Sequence, residues 1–292
     1  MRAVVFGATG FIGRALLPVL AAEHDVVAVS RSPHPQQNGV TWVVADVTDA
    51  SAVRQALEGA DVVYYLVHSL GSADFEERDV AGARTTAREA ETAGVRQLVY
   101  LGGLGEADED LSPHLRSRLE TGRALASGAV PLTTLRAAVV VGKGSAAFET
   151  IVALVDRLPV MIAPRWVSTP TQPIALADAV RYLAAVAGRE ETIGETYDLG
   201  GPEVMTYREM IERVAGLRGK RRVIVEVPVL TPFLSSLWLH LVTPVGASVA
   251  RPLVEGLRNP TVAADTRIRE LVPFALTPFD EAARRALGMV GW

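Results

Sequence analysis

The sequence contains no cysteine, so disulfide bonds, thiol nucleophiles and thiolate metal sites are excluded. Its five histidines show neither H-x-H nor H-E-x-x-H spacing and have no acidic cluster beside them, so we expect no bound metal. A G-x-S-x-G nucleophile elbow is also missing, which argues against a serine hydrolase. The formal net charge of −4 gives no general attraction to nucleic acid, and no nucleic-acid partner is expected.

Charge is also absent from one long stretch, residues 227–250, which contains no Asp, Glu, Lys or Arg. Its length would suffice to cross a bilayer, but Pro228, Pro232 and Pro244 divide it into short pieces. We interpret the stretch as a buried wall of a substrate site, with peripheral membrane contact as the alternative. The chain begins with a short strand-like run instead of a signal peptide, so a cytoplasmic protein is expected.

The sequence does contain a regular alternation of apolar strand-like segments and helix-like segments. Strands are predicted over residues 2–6, 25–30, 41–45, 61–67, 95–101 and 132–141. Helices are predicted over residues 11–22, 50–57, 75–93, 113–127, 146–157, 177–187 and 206–217. Apolar strands separated by helices predict an α/β fold of the Rossmann type, with a doubly wound parallel sheet covered on both faces.

The alternation loosens after about residue 142, where irregular Pro-containing stretches separate the helices. We therefore expect residues 1–142 to form a dinucleotide-binding core and residues 143–292 to form a smaller C-terminal lobe on the substrate side. No low-complexity linker divides the two parts. They are expected to be one integrated domain, with elements of the second part returning to the core.

A glycine-rich loop follows the first predicted strand and opens the first predicted helix. It reads GATGFIG, and Gly7, Gly10 and Gly13 fit the pattern of a phosphate-binding turn. Gly7 permits the tight turn, Gly10 lets a pyrophosphate approach the backbone, and Gly13 lets the helix pack against the strand. The free N–H groups at the helix start would bind the anion. The remaining candidate contacts of this loop are Thr9, Phe11 and Ile12.

The residues after the second strand select between the two nicotinamide cofactors. A carboxylate there would bind the ribose 2′-OH of NAD, but this strand ends in Ser30 and Arg31. A guanidinium beside a hydroxyl suits a 2′-phosphate, so NADP(H) is expected in preference to NAD(H). Asp46 and Val47 follow the third strand, where a carboxylate and an amide would hold the adenine edge. The alternative for Asp46 is a helix cap.

Together these features resemble the extended and atypical short-chain dehydrogenases/reductases, in particular their NmrA-like and complex-I-accessory-like NAD(P)-binding branches. The motifs that carry the resemblance are GATGFIG at 7–13, ADVTD at 45–49, DVVYYLV at 61–67, LRAAVVVG at 135–142, QPIALADAVRYL at 172–183 and YDLGGPEVMTYREM at 197–210. The resemblance covers nearly the whole chain to about residue 215. It implies an NAD(P)-binding protein similar to oxidoreductases and to NAD-dependent epimerases and dehydratases.

The resemblance also implies a catalytic Ser or Thr after the fifth strand and a Tyr-x-x-x-Lys on the next helix, where the Lys lowers the pKa of the Tyr. This chain departs from the family at all three positions. Gly102 and Gly103 stand at the Ser/Thr position, and His114 and Arg118 stand at those of Tyr and Lys. Arg118 could bind ribose hydroxyls but cannot exchange protons. His114 could donate one, although Arg118 would disfavour its charged form. The alternative is a polar helix face.

Another candidate follows the fourth strand, whose carboxyl end should line the ligand crevice. Leu66, Val67 and His68 are therefore expected beside the nicotinamide-ribose part of the cofactor. His68 would act as an acid or as an orienting donor, and the alternative is a loop histidine held by backbone groups. The predicted wall of an apolar pocket over the nicotinamide consists of Phe148, Trp166, Phe233, Trp238 and Leu241. Ordinary packing of the lobe is the alternative for these residues.

The sequence thus predicts an NADP(H)-binding oxidoreductase that transfers hydride to or from an apolar small molecule, such as a quinone, an enone or an isoprenoid-like compound. His114, Arg118 and His68 are the candidate catalytic residues. The loss of Ser, Tyr and Lys keeps a second hypothesis open, a non-catalytic protein that senses NADP(H) or holds it structurally. A monomer or a homodimer is expected.

Overall fold

The computed structural model describes residues 1–36, 39–68, 75–105, 111–227 and 257–290. Its strands are β1 Arg2–Phe6, β2 Asp25–Ser30, β3 Val40–Val44, β4 Val62–Tyr65, β5 Gln97–Gly103, β6 Leu132–Ala137, β7 Val140–Val141, β8 Val160–Pro164, β9 Pro170–Thr171, β10 Ile174–Ala175, β11 Thr196–Leu199, β12 Met205–Thr206 and β13 Val223–Val227. Its helices are α1 Phe11–Ala21, α2 Ala50–Ala56, α3 Phe75–Thr92, α4 Pro113–Leu125, α5 Ala146–Arg157, α6 Leu176–Ala185, α7 Tyr207–Leu217, α8 Ile268–Leu271 and α9 Phe279–Ala286.

Seven of these strands form one parallel sheet in the order β3-β2-β1-β4-β5-β6-β11. From the centre of the sheet, the strands follow in the order β1, β2, β3 in one direction and β4, β5, β6, β11 in the other. The helices that connect them therefore cover both faces of the sheet. This confirms the predicted α/β fold with a doubly wound parallel sheet. Ligands of such sheets bind beyond the carboxyl ends of the strands at the reversal of order, which here lies between β1 and β4.

Alternating side chains of the central strand β1 enter two different hydrophobic clusters. Ala3 and Val5 share a cluster with residues of α1 and α6. Val4 and Phe6 share another with residues of α2, α3 and α4. Both faces of the strand are therefore buried, which explains why it is apolar at nearly every position instead of alternating between apolar and polar residues.

The second half of the chain builds a hydrophobic cluster of its own around α5 and α7, in which Phe148, Met210 and Val214 are fully buried. Three strand pairs, β7–β10, β8–β13 and β9–β12, border this cluster, and α9 packs into it. The second half also returns to the main sheet, because α6 covers one face and β11 adds the seventh strand. The division of the chain at residue 142 remains a prediction.

The strands β8, β9, β10 and β12 and the helices α8 and α9 are not among the predicted elements. Two further differences concern the main sheet. The sequence does not predict β11, because its segment TYDL is short and mixes polar with apolar residues. The strand predicted over 132–141 divides into β6 and β7, since the regular pairing with β5 ends at Ala137. The other strands and helices predicted from the sequence begin and end within a few residues of the observed elements.

The uncharged stretch 227–250 lies outside the described residues except for Val227. Its proposed roles, as a wall of the site or as a membrane contact, therefore remain predictions. Within the described part of the chain, no helix combines the length and the apolar character needed to cross a bilayer. The cellular compartment likewise remains a prediction.

An ion pair fixes β11 to the edge of the sheet. Asp198 of β11 lies opposite Arg136 of β6, whose Nε donates to the Asp198 carboxylate over 2.7 Å. The backbone amides of Ala264 and Asp265 donate to the other carboxylate oxygen, each over 3.0 Å. Because the Asp198 side chain is 1% exposed, its charge depends on these donors instead of on water.

Replacing Asp198 with Ala should lower the free energy of unfolding by about 3 kcal/mol, because Arg136 and two backbone amides lose their acceptor. Urea denaturation followed by circular dichroism measures this change. Asp25→Ala is the control, since Asp25 is exposed and lies 3.9 Å from Arg2. Its effect should stay below about 0.5 kcal/mol. Equal losses in the two variants would contradict the structural role assigned to Asp198.

Candidate functional site

The glycine-rich loop joins β1 to α1 and lies against the chain that leaves β4. Gly7 has a φ of +80°, in the left-handed region, and a Cβ built on it would lie 2.6 Å from the carbonyl oxygen of Leu66. A Cβ on Gly13 would collide with the carbonyl oxygen of Gly7. Glycine is therefore required at Gly7 by the backbone conformation and the close approach, and at Gly13 by the packing of α1 on the loop.

Helix α1 begins without a side-chain cap. Its N-cap residue is Gly10, which has no side chain to accept from the amides of the first turn. Uncapped amides at the positive end of a helix dipole suit a pyrophosphate, so the loop fits the predicted dinucleotide. Phe11 and Ile12 of the first turn pack against the hydrophobic cluster of α1 and α6, and Gly13 is buried.

A cavity of about 500 Å³, here named the polar cavity, opens beyond the carboxyl ends of β1, β2 and β4. The structure brings together in its wall the predicted cofactor contacts Gly7, Thr9, Gly10, Ser30, Arg31, Asp46, Val47, Leu66, Val67 and His68. The cavity lies where the strand order reverses, which is the expected place for a dinucleotide in this type of sheet. The individual roles of these residues remain predictions.

Asp46 closes a tight turn beside the polar cavity. The amide and the hydroxyl of Thr48 donate to one of its carboxylate oxygens, over 2.9 Å and 2.7 Å. Arg78 faces the other oxygen at 3.6 Å. The Thr48 hydrogen bonds, helped by Arg78 and Arg31, lower the pKa of Asp46 from its usual value. Asp46 is therefore ionised at neutral pH and can accept a hydrogen bond.

Arg78 of α3 lines the polar cavity, although the sequence does not single it out. Its local sequence, FEERD, is a run of charges that indicates a solvated helix face. Together with Arg31 it gives this cavity two guanidinium groups.

The helix cap considered for Asp46 is supplied by Asp49, which accepts from two amides in the first turn of α2.

A chain of hydrogen bonds connects α3, the residues after β4, and α4. Nδ1 of His68 lies 3.0 Å from a carboxylate oxygen of Asp79, and Nε2 of His68 lies 3.2 Å from Nδ1 of His114. The Asp79 side chain is 1% exposed and that of His68 is 21% exposed. The structure thus brings the two candidate histidines together and adds a buried carboxylate that the sequence does not single out.

Burial lowers the pKa of both histidines. The pKa of His114 falls to about 3, and a positive charge on His68 or Arg118 acts in the same direction as burial. The pKa of His68 is also lowered by burial, although its hydrogen bond to Asp79 opposes the change. Both imidazoles are therefore neutral at neutral pH, and Arg118 acts on His114 in the expected direction.

Arg118 lies one helical turn after His114 on α4. Its guanidinium lies over the ring of Tyr100, 4.7 Å from the ring centroid, and its Nη1 donates to the carbonyl oxygen of Val67 over 3.5 Å. Gly103, at the position of the family Ser or Thr, packs closely against α4, because a Cβ on it would lie 3.0 Å from the Leu115 side chain. A larger residue at Gly103 would require Leu115 to shift.

A second cavity, here named the apolar cavity, has a volume of about 190 Å³ and lies among the ends of β5 and β6 and the helices α4, α5 and α7. Aliphatic and aromatic side chains form most of its wall, and His114 is part of it. His68 lines the polar cavity instead. The hydrogen bond between His68 and His114 therefore joins the two cavities.

The pocket residues predicted from the sequence have different positions. Trp166 lines the apolar cavity, together with Tyr207 and Ile211 of α7. Phe148 is instead buried within the hydrophobic cluster of the lobe. The other three predicted wall residues, Phe233, Trp238 and Leu241, lie outside the described residues.

Comparison with known proteins agrees with this geometry. Residues 7–137 match the family model described as NAD(P)H-binding. This part of the chain is an NAD(P)H-binding domain, and the resemblance to atypical, NmrA-like short-chain dehydrogenases/reductases is confirmed. The predicted nicotinamide cofactor is confirmed with it.

Two curated proteins illustrate the similarity. Mitochondrial NADH dehydrogenase (ubiquinone) 1 alpha subcomplex subunit 9 from Arabidopsis thaliana is 28% identical over 225 residues, which cover 72% of this chain and 56% of that protein. This chain thus spans little more than half the length of the plant relative. The (4-alkanoyl-5-oxo-2,5-dihydrofuran-3-yl)methyl phosphate reductase of Streptomyces griseus is 28% identical over 227 residues, which cover 74% of each chain.

A solved structure shares the fold over almost its full length. The NADPH-dependent quinone oxidoreductase of Escherichia coli, in complex with NADPH, matches with a TM-score of 0.79 at 21% identity. The match covers 98% of this chain and 100% of that one. The protein therefore has the fold of an NAD(P)-binding oxidoreductase.

Replacing His114 with Asn should make the stability of the protein less sensitive to acid. The pKa of His114 is about 3 in the folded protein, whereas an unfolded histidine has a pKa of about 6.5. Between these values the unfolded chain binds a proton that the folded protein excludes, so stability falls as the pH falls. His114 contributes at most about 1.4 kcal/mol per pH unit to this loss. Urea denaturation at about pH 7 and about pH 5 measures the difference.

His34 provides the matched control, because it is exposed. H34N should retain the pH dependence of the wild-type protein, whereas H114N should flatten it. If both variants had the wild-type pH dependence, the burial of a neutral His114 would be contradicted.

Proposed function

We propose that the protein is an NADP(H)-dependent oxidoreductase that reduces or oxidises an apolar small molecule. The observation that carries the proposal is the hydrogen bond of 3.2 Å between His68 and His114, which joins the polar cavity to the apolar cavity. A cofactor in one cavity and a substrate in the other would thus meet at a pair of proton-carrying side chains. Bound NADPH would supply the hydride.

The residues around the polar cavity would hold the cofactor. The glycine loop and the uncapped start of α1 suit the pyrophosphate. Arg31 and Arg78 would attract the 2′-phosphate, and Asp46, ionised beside them, would accept from the adenine amino group. Arg118, close to the Val67 carbonyl, would bind the ribose hydroxyls.

The apolar cavity supports a substrate with a large apolar surface and a carbonyl group. Trp166 lines this cavity, and its buried Nε1–H has no acceptor among the described residues. A buried donor without a partner is costly, and a substrate carbonyl would satisfy it. The similar proteins from Streptomyces griseus and Escherichia coli are named for an oxo-dihydrofuranyl compound and for quinones, which favours a carbonyl-bearing ring as the acceptor.

Replacing Arg31 with Ala should weaken the binding of NADPH by about 10-fold to 100-fold, because a charge-assisted hydrogen bond to the 2′-phosphate is lost. Binding of NADH should change by less than about threefold, since NADH lacks that phosphate. Isothermal titration calorimetry measures both. Arg96→Ala is the control, since Arg96 precedes β5 at the opposite end of the strands and pairs with Asp61. Equal losses of NADPH and NADH in R31A would contradict the assignment.

Oxidation of NADPH by a panel of quinones, enones and isoprenoid-like carbonyl compounds tests the function itself. We expect at least one acceptor to be reduced, followed by the loss of NADPH absorbance. Trp166→Phe, which keeps an aromatic ring but loses the N–H, should raise KM for that acceptor about fivefold with little effect on kcat.

Trp42→Phe is the matched control, because Trp42 of β3 also has a buried Nε1–H without a partner among the described residues. W42F should retain the wild-type KM. If NADPH binds but no acceptor in the panel oxidises it, the oxidoreductase function is contradicted, and a non-catalytic NADP(H)-binding role is favoured.

A further inference from the structure

The hydrogen-bond chain from Asp79 through His68 to His114 extends from the protein interior to the apolar cavity. Asp79 lies on the buried face of α3, His68 lines the polar cavity and His114 lines the apolar cavity. We propose that Asp79 is a positioning residue that sets the tautomers of both histidines and allows His114 to donate the proton of the reduction. This inference rests on the proposed function and adds to it a residue and a route for the proton.

The chemistry of the three groups fixes the direction of their hydrogen bonds. When Asp79 is ionised, its carboxylate accepts only, so Nδ1 of His68 carries a proton and donates to Asp79. If His68 is neutral, its Nε2 has a lone pair and accepts from Nδ1 of His114. The other ring nitrogen of His114, Nε2, is then left as an acceptor. In this state the chain can receive a proton from a substrate but cannot give one.

Uptake of one further proton reverses the role of His114. His68 then carries protons on both nitrogens and forms an ion pair with Asp79, while its Nε2 donates to Nδ1 of His114. His114 remains neutral and carries its proton on Nε2, which is now a donor. His114 can thus act as an acid although its own pKa is about 3, because the positive charge resides on His68 beside the carboxylate.

The transfer balances in protons and electrons. Reduction of a carbonyl acceptor requires one hydride, which bound NADPH would supply, and one proton. As the new bond to the acceptor proton forms, the Nε2–H bond of His114 breaks, and the Nε2 proton of His68 moves to Nδ1 of His114. His68 ends neutral and still donates to Asp79. Solvent then returns one proton to the chain, and the reverse sequence serves an oxidation by NADP⁺.

The charged groups that face the two histidines act in opposite directions. Arg118 of α4 disfavours a positive charge on either histidine, whereas Asp79 of α3 favours it. The buried phenols of Tyr65 and Tyr100 are neutral, because burial raises the pKa of each. In the described part of the chain, Asp79 is therefore the anion that allows the extra proton to be taken up.

The variant Asp79→Asn tests the inference without turnover, because the amide keeps an acceptor for His68 but removes the negative charge. NMR spectroscopy of the histidine ring nitrogens, followed through a pH titration, reports the tautomer and the pKa of each ring. The wild-type His68 should carry its proton on Nδ1 when neutral. D79N should lower the pKa of His68 by about one to three units. A neutral His68 protonated on Nε2, or an unchanged His68 titration in D79N, would overturn the inference.

Glu89 provides a matched control on the same helix. Its side chain is also 1% exposed, and it pairs with Arg54 and Arg88. Glu89→Gln removes a buried negative charge from α3 in the same way, but it should leave the titration of both histidines unchanged. A shift of His68 in E89Q equal to that in D79N would overturn the inference, because the shift would then follow from a general weakening of α3.

Turnover gives an independent measurement once an acceptor is known. The wild-type kcat for reduction should rise as the pH falls, because His68 takes up the extra proton at low pH. D79N should lower kcat at about pH 7 by about tenfold or more and move the rise to lower pH, while KM changes less than about twofold. A change in KM with an unmoved pH profile would overturn the inference. If no acceptor in the panel were reduced, the proposed function would be contradicted. The NMR titration would still decide the role of Asp79.

Discussion

The contact between the glycine loop and the chain leaving β4 is the constraint on which the site depends. The amide of Leu66 still donates to the Phe6 carbonyl over 3.0 Å, and one residue later Gly7 turns away with a φ of +80°. The two central strands therefore separate at a single position, and the polar cavity opens between them. A side chain at Gly7 would push against Leu66, and His68 follows two residues later. The phosphate loop and the segment that carries His68 are thus positioned by the same close approach of two backbone segments.

A second constraint is the cost of placing polar groups at the end of an apolar sheet. Asp79 and Arg118 are the charged side chains that act on the two histidines, and each is held by named partners. Burial keeps the imidazoles neutral, which lowers the cost of excluding water from them. A carboxylate as deeply buried as Asp79 would be strongly destabilising without a donor, so His68 and Asp79 stabilise each other's position.

The sequence predicts those parts of the molecule that local patterns determine. Apolar runs locate the central strands within a few residues, and the glycine spacing locates the phosphate loop, because both depend on backbone geometry over short distances. The site is harder to predict from the sequence, since His68 and His114 are 46 residues apart and meet only through the packing of α4 on the sheet. Asp79 is difficult to predict for a different reason. It follows the exposed Glu76 and Glu77 in one run of charged residues, and only the helical period determines which of these carboxylates faces the protein interior. The sequence feature that could have identified Asp79 is its helical spacing from the small residues of α3, which places it on the same buried face.

If His114 and Arg118 act as proposed at the positions of the family's Tyr and Lys, the site needs an extra anion. A tyrosine starts with a pKa near 10, so a neighbouring cation lowers it toward the working pH and makes the phenol a better acid. A histidine starts near 6.5, and the same cation lowers its pKa further, away from the range in which it holds a spare proton. Exchanging Tyr for His while keeping a positive charge one turn away would therefore weaken the acid. The carboxylate of Asp79, acting through His68, would provide the opposite electrostatic effect from α3, while Arg118 keeps its place on α4.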